Sequence, residues 1–239
     1  MLSEMLARVF DRRPIGQEET VYRRLLRRGY RPAGIVDVGA YEGEWSKLAR
    51  KVWGQLPTLM IEAQEGKRSL LEDVCRHHPG LLLEIAVLGA ESGRMVSFFT
   101  METGSSIFPE QSDVPREVSC LRTRTLDEVV GADGSTDLFL KIDVQGAELE
   151  VLKGGENTLA AASLVQLETA FLSYNEGAPK IGEVISFMDE RGFTPCDIAG
   201  EVRLQDCLVQ IDLMFCPINS ELRPDFFHFP DASRASVLQ

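Results

Sequence analysis

The chain has 239 residues, 44% of them hydrophobic and 26% charged, a length and balance that suit one soluble α/β domain and exclude disordered, collagen-like and coiled-coil classes. Twenty-five basic and 37 acidic residues leave a net charge of −12 and a pI near 4.8. Nucleic-acid affinity rests on Lys and Arg neutralising phosphates, so no nucleic-acid partner is expected of so acidic a chain.

Residues 1–33 run against that balance, with eight arginines and four acids. We read them as an N-terminal helical segment, followed by a domain over 34–220 and a tail over 221–239. Arg23, Arg24, Arg27 and Arg28 fall within one helical stretch, expected to be a solvated face. The first residues lack the basic start, apolar stretch and small-residue cleavage site of a secretory signal. No run of 18 apolar residues predicts a membrane span. Cys75, Cys120, Cys196, Cys207 and Cys216 are widely spaced and form no CxxC pair, which reads as reduced thiols. Together these features predict a cytoplasmic protein without stable membrane insertion.

Gly34–Gly39 is a short apolar run ending in glycine, the pattern of a buried strand. Glu44–Trp53 has helical spacing, with Trp45, Leu48, Ala49 and Val52 on one side, and Pro57 ends it. Thr58–Ile61 is a second buried strand. A helix over Lys67–His77 stops at Pro79-Gly80, and Leu81–Leu88 is a third strand. Met95–Thr100 is expected as an edge strand, and 101–117 as a loop. Arg124–Asp127 leads into a short helix. Leu138–Asp143 is a strand, Glu148–Lys153 begins a helix, and Leu164–Glu168 is a strand again. Ile181–Arg191 is a helix. Phe193–Ile198 and Leu208–Phe215 are two strands about a polar turn near Gly200-Glu201. Such alternation predicts a doubly wound, mostly parallel, Rossmann-like sheet of seven strands. The last two strands lie too close in sequence for a crossover helix, so they close the sheet as an antiparallel hairpin.

Ligands of such sheets bind beyond the carboxyl ends of the strands. The first strand runs into Asp37-Val38-Gly39-Ala40-Tyr41-Glu42-Gly43, a G-x-x-x-G turn before a helix N-terminus. Tyr41 stands where a dinucleotide loop needs its second glycine, which argues against NAD or FAD. Glu62 ends the second strand, where a carboxylate can accept from both hydroxyls of a ribose. An adenosine-type ligand without a pyrophosphate loop fits S-adenosylmethionine, with Asp37 and the turn at its amino-acid end and Glu62 at its ribose. Gly39, Ala40, Tyr41, Gly43, Ala63 and Ala86 complete the expected cofactor contacts.

The block Lys141-Ile142-Asp143-Val144-Gln145-Gly146-Ala147-Glu148 continuing to Gly154 follows K-I-D-x-x-G-x-E-x-x-x-L-x-G and resembles the FkbM family of S-adenosylmethionine-dependent methyltransferases. Asp37-Val38-Gly39-Ala40 resembles that family's cofactor loop, Arg124-Thr125-Leu126-Asp127 its R/T-T-L-D segment, and Gln210–Phe215 its terminal strand. The resemblance covers roughly residues 25–220. Tyr41 departs from the Asn common after D-V-G-A, and Ile61-Glu62-Ala63 from the common F-E-P, the latter leaving the ribose carboxylate in place. The resemblance implies the class I methyltransferase fold and S-adenosylmethionine as cofactor.

Methyl transfer to a hydroxyl needs alignment and a way to take up the proton. Of three histidines, His77 and His78 read as an exposed helix end, and His228 lies near the C-terminus. Asp143 and Glu168, at the ends of neighbouring strands, are the better candidates to orient or deprotonate the acceptor, with Lys141 supporting the local charge. Two such acids could instead hold a divalent cation, and no metal ligand is assigned. Asp143 could also cap the following helix, and Glu148 could favour its dipole. Ser105 and Ser106, in a Ser-rich loop that resembles one of the family, and Tyr174 and Asn175 after the fifth parallel strand, are candidate acceptor contacts suited to a sugar ring.

The expected activity is O-methylation of a sugar hydroxyl in a glycan or glycosylated metabolite. A polyketide or other natural-product hydroxyl is the alternative acceptor. From other classes, an NAD-binding oxidoreductase or a non-catalytic cofactor-binding protein is the alternative; the G-x-x-x-G spacing and the terminal hairpin oppose the NAD reading.

Overall fold

A computed structural model describes residues 15–111, 114–131, 136–173 and 175–223. Its strands are β1 (Gly34–Val38), β2 (Thr58–Glu62), β3 (Leu81–Ile85), β4 (Val87–Leu88) and β5 (Met95–Thr100), then β6 (Glu117–Arg124), β7 (Leu138–Ile142), β8 (Ala162–Ala170), β9 (Phe193–Leu204) and β10 (Cys207–Pro217). Its helices are α1 (Ile15–Arg27), α2 (Glu44–Trp53), α3 (Arg68–His77), α4 (Leu126–Val130), α5 (Glu148–Lys153), α6 (Glu156–Ala160) and α7 (Ile181–Asp189).

Seven strands form the main sheet in the order β3-β2-β1-β7-β8-β10-β9. Pairings from β3 through β8 are parallel, and β10 runs antiparallel to both β8 and β9. The sheet is the doubly wound, hairpin-ended sheet expected from the sequence, and it is the class I methyltransferase fold. β1 and β7 are buried at every position, as strands covered on both faces must be. On one face Val36, Val38, Leu140, Ile142, Val165 and Leu167 pack under α5, α6 and α7. On the other, Ile35, Phe139, Leu164 and Met214 meet α1 and α2, while Met60 and Leu81 meet α3.

Three local expectations change. The run 81–88 breaks at Ala86, and its end, β4, joins a separate sheet of order β4-β6-β5 that also takes the expected edge strand. β6 begins at the last residue of the stretch read as a loop, and only Thr123 of its eight residues is buried, so no buried run marked it. The terminal hairpin turns at Gln205-Asp206, not at Gly200-Glu201, because both residues adopt left-handed φ (48° and 65°), the backbone of a tight two-residue hairpin. The R-T-L-D segment is architectural: Thr125 caps α4, Leu126 is fully buried, and Asp127 accepts hydrogen bonds from Asn157 and Thr158 at the start of α6.

The N-terminal helix belongs to the core of the sheet. Tyr22 and Leu25 of α1 are buried among Trp53, Phe139 and Leu164. The Tyr22 hydroxyl donates to Gln166 Oε1 on β8 at 2.6 Å and accepts from Trp45 Nε1 on α2 at 2.8 Å. The Gln166 amide in turn donates to Glu18 Oε1 at 3.0 Å. Burial pushes the Tyr22 phenol far above its ordinary range, so it stays a neutral donor. Among the described residues, no helix is long and apolar enough to cross a membrane.

Removing one buried hydroxyl between two partners tests how firmly α1 is held. Tyr22→Phe is expected to lose about 1–3 kcal/mol in urea unfolding, because Trp45 Nε1 and Gln166 Oε1 both lose a buried partner. A loss under about 0.5 kcal/mol would show that the network does not secure the helix.

Candidate active site

β1 and β7 are adjacent, but the chain leaves them in opposite directions, to β2 and to β8, so the crevice opens at their carboxyl ends. Gly39 closes β1 with φ +78°, and a Cβ there would lie 1.9 Å from the carbonyl oxygen of Asp143. The glycine is therefore required by the close approach of the backbone after β7, independently of any ligand. Ala40 accepts from Gly43 at 2.8 Å to close the turn, and Gly43 precedes α2.

Tyr41 takes a left-handed φ of 51°, which aims its backbone N–H at Glu62 Oε2, 2.8 Å away. Gln64 N donates to the other oxygen at 2.8 Å. Burial pushes the Glu62 carboxyl above its ordinary range, opposed by the N–H groups of Gln64 and Tyr41 and the charge of Lys141. Each oxygen can accept a second bond, so this carboxylate fits two ribose hydroxyls. Lys67 roofs the turn, 3.0 Å from Glu42 and 3.8 Å above the Tyr41 ring. Ala63 follows Glu62, and Ala86 N donates to the Glu62 carbonyl at 2.9 Å, so both lie at this end of the sheet. The residues present fit an S-adenosyl ligand.

Asp37 sits deeper than the sequence suggested. It is fully buried, accepts from Ser46 Oγ at 2.7 Å and lies 3.2 Å from Lys141 Nζ. It anchors α2 and a lysine instead of facing the rim. Lys141, directly opposite Asp37 in the β1–β7 register and only 5% exposed, also donates to the Gly39 carbonyl at 3.1 Å and lies 3.7 Å from Asp143 Oδ2. Burial disfavours its charge, but Asp37 and Asp143 more than reverse that, so the ammonium is held well above its ordinary range. Lys141 is thus a fixed cation and no proton carrier at neutral pH.

The two candidate acids lie side by side. The Asp143 side chain is 27% exposed and accepts from Gln145 Nε2 at 3.0 Å. Glu168 accepts from the same nitrogen at 2.6 Å through Oε2, and from Gln210 Nε2 through Oε1. Glu168 is only 9% exposed, with Asp212 opposite it on β10. Asp143 is the more open of the pair. A small cavity of about 30 Å³ opens here between Gln145, Glu148, Glu168, Asn175 and Gln210.

Of the expected acceptor contacts, Ser105, Ser106 and Asn175 make bonds within the protein. Ser106 Oγ donates to the Gln145 carbonyl at 2.8 Å, and Asn175 Nδ2 donates to the same oxygen. Ser105 Oγ accepts from Met101 N at 2.8 Å. Tyr174 and His228 lie outside the described residues, and His77 stands exposed at the end of α3. Glu148 is buried, and its Oε1 accepts from Val144 N and Gly146 N, both at 3.1 Å, clamping the loop that presents Asp143. Burial pushes Glu148 up to about 7 against those backbone bonds. Gln145, Gln210 and Gln166 escaped the sequence reading because amides carry no titratable signature. Among the described residues, no group of three or more His, Cys, Asp or Glu could hold a metal ion, so a divalent cation finds no ligand set.

Residues 37–195 match the family model of the methyltransferase FkbM domain. No curated protein matches the chain. Among solved structures it is similar to magnesium protoporphyrin IX methyltransferase from Synechocystis PCC 6803 with bound S-adenosylhomocysteine, at 10% identity over 85% of this chain and 83% of that one, with a TM-score of 0.49. It is similar to 1,6-didemethyltoxoflavin-N1-methyltransferase from Burkholderia thailandensis at 10% identity over 85% and 77%, with a TM-score of 0.48. Ribosomal protein L11 methylase from Lactobacillus delbrueckii subsp. bulgaricus gives 11% over 84% and 76%, with a TM-score of 0.47.

Two measurements follow from this geometry. A carboxyl raised by folding contributes stability at low pH that is lost as pH rises through its folded value. Wild-type stability is therefore expected to fall between about pH 5 and 8 by about 1–3 kcal/mol more than that of Glu148→Gln, which keeps an acceptor oxygen but cannot ionise. Parallel slopes would place the ionisation elsewhere. Gly39→Ala, with its clash against Asp143, is expected to abolish S-adenosylhomocysteine binding in calorimetry even where folded protein is recovered; unaltered binding would contradict the close approach of the two loops.

Proposed function

The chain belongs to the FkbM family and is an S-adenosylmethionine-dependent methyltransferase; on that premise we propose that it O-methylates a sugar hydroxyl in a glycan or glycosylated metabolite. One observation carries the acceptor class. The side-chain amides at the crevice turn toward the protein, Gln145 giving one N–H each to Asp143 and Glu168, Gln210 one to Glu168, and Asn175 one to the Gln145 carbonyl. The crevice is therefore rich in acceptor oxygen, and a ligand that brings donors suits it. Hydroxyl groups do so, and an anionic acceptor would meet like charge.

When bound, S-adenosylmethionine supplies a methyl group on a cationic sulfur. In this reading Glu62 receives the ribose hydroxyls, while Gly39, Ala40, Tyr41 and Gly43 shape the turn at the amino-acid end, with Ala63 and Ala86 alongside. Asp143 accepts the hydrogen bond of the acceptor hydroxyl and takes its proton as that oxygen is methylated. With Lys141 3.7 Å away, Asp143 is a weak base, so its main contribution is orientation, with proton uptake late in the step. Glu168, held by two amides, fixes a second donor of the acceptor. Ser105, Ser106 and Asn175 act by shaping the acceptor loops. We place the methyltransferase unit at 34–220, with α1 completing its core.

The test is an acceptor screen by mass spectrometry, with S-adenosylmethionine and neutral methyl glycosides, macrolide aglycones and sugar phosphates in parallel arms. A methyl ether on a neutral glycoside is expected. Asp143→Asn should lower that turnover by about 10²–10⁴-fold while S-adenosylhomocysteine affinity stays within about threefold. Methylation of aglycones alone would shift the acceptor to natural-product hydroxyls, and full activity in Asp143→Asn would remove that residue from the chemistry.

A further inference from the structure

Gln145 carries more constraints than a strand-to-helix loop requires. It is a non-glycine residue held at a left-handed φ of 55°, a conformation that persists where the surroundings over-determine it. Its carbonyl takes hydrogen bonds from two side chains that arrive on separate segments, Ser106 after β5 and Asn175 after β8. Both of those side chains are buried. Glu148 fixes the residues on either side through Val144 N and Gly146 N. The result aims one carboxamide nitrogen between two carboxylates on neighbouring strands, 3.0 Å from Asp143 Oδ1 and 2.6 Å from Glu168 Oε2.

We propose that Gln145 is a positioning residue that clamps Asp143 and Glu168 into a fixed pair, giving one N–H to each, so that the pair meets a hydroxyl-bearing acceptor in one fixed arrangement. The assignment deepens the acceptor reading above and rests on it for the identity of what the pair orders. Two carboxylates side by side repel, and a bridging amide offsets that repulsion with two charge-assisted bonds. Unlike a bridging acid or histidine, an amide does not titrate, so the clamp holds across the working pH range. Among the described residues, the charged groups around the pair are Lys141 beside Asp143 with Asp37 on its other side, Glu148 on the same loop, and Asp212 opposite Glu168. Gln210 reaches Glu168 alone and so provides an internal control.

The test is a pH titration of the full chain carrying ¹³C-labelled Asp and Glu carboxyls, with the two resonances assigned from Asp143→Asn and Glu168→Gln. Loss of a hydrogen bond to the charged form raises a carboxyl's midpoint. Gln145→Leu is expected to move both midpoints upward by about half to one pH unit, and Gln210→Leu to move Glu168 alone. Gln145→Glu, which keeps the size and loses the donor, should move both in the same direction and stands in should the leucine variant not fold. Movement of Glu168 alone, or of neither, in the Gln145 variants would overturn the clamp. The readout needs no acceptor, so it separates from the acceptor screen: shifted midpoints with no sugar methylated would retain the clamp and discard the acceptor class.

Discussion

A buried ammonium without compensation would not survive folding, and the architecture of this crevice follows from how Lys141 is compensated. Asp37 lies beside it on β1, the carbonyl of Gly39 caps it, and Asp143 stands just beyond. Those three partners come from β1, from the turn that follows it and from the loop after β7. The pair of loops is locked further by the approach that only a glycine at position 39 permits. The turn after β1 and the loop after β7 are therefore joined around a single charge.

Polar side chains continue across the same face of the sheet in two rows. The deeper row runs Asp37, Lys141, Gln166 in direct register, and α1 closes over it through Tyr22 and Glu18. The outer row holds Asp143, Glu168 and Asp212, tied by Gln145 and Gln210. The inner row fixes geometry, and Asp143 is the most open member of the outer one. The N-terminal helix is thus part of the machinery's support, although its sequence looked like a detached basic segment.

Strand ends were legible because their signals are local. Thr58–Glu62 and Leu138–Asp143 are mostly apolar runs that each end in a carboxylate, which puts Glu62 and Asp143 at the carboxyl ends of their strands. Asp37 was placed too far out, since the pattern marks its strand but not its partner, and Lys141 lies 104 residues away in sequence. The Tyr22–Gln166 bond spans 144 residues and has no local trace. Ser106 and Asn175 show a different limit: a polar residue in a loop serves a ligand or a backbone carbonyl equally well, and only the fold decides between them. The second small sheet was missed for want of a buried face, and the hairpin turn for want of a glycine at Gln205 and Asp206.

In the proposed function one crevice at the ends of β1, β2 and β7 joins the cofactor to the acceptor carboxylates. A crystal structure with S-adenosylhomocysteine tests it most directly. The expected result places the ribose hydroxyls on Glu62, the amino-acid end at the Gly39–Gly43 turn, and the sulfur facing Asp143. A ligand seated elsewhere, such as the cleft of about 280 Å³ between Lys47, Arg50 and His78 at the far end of α2, or a sulfur turned away from Asp143, would contradict the account.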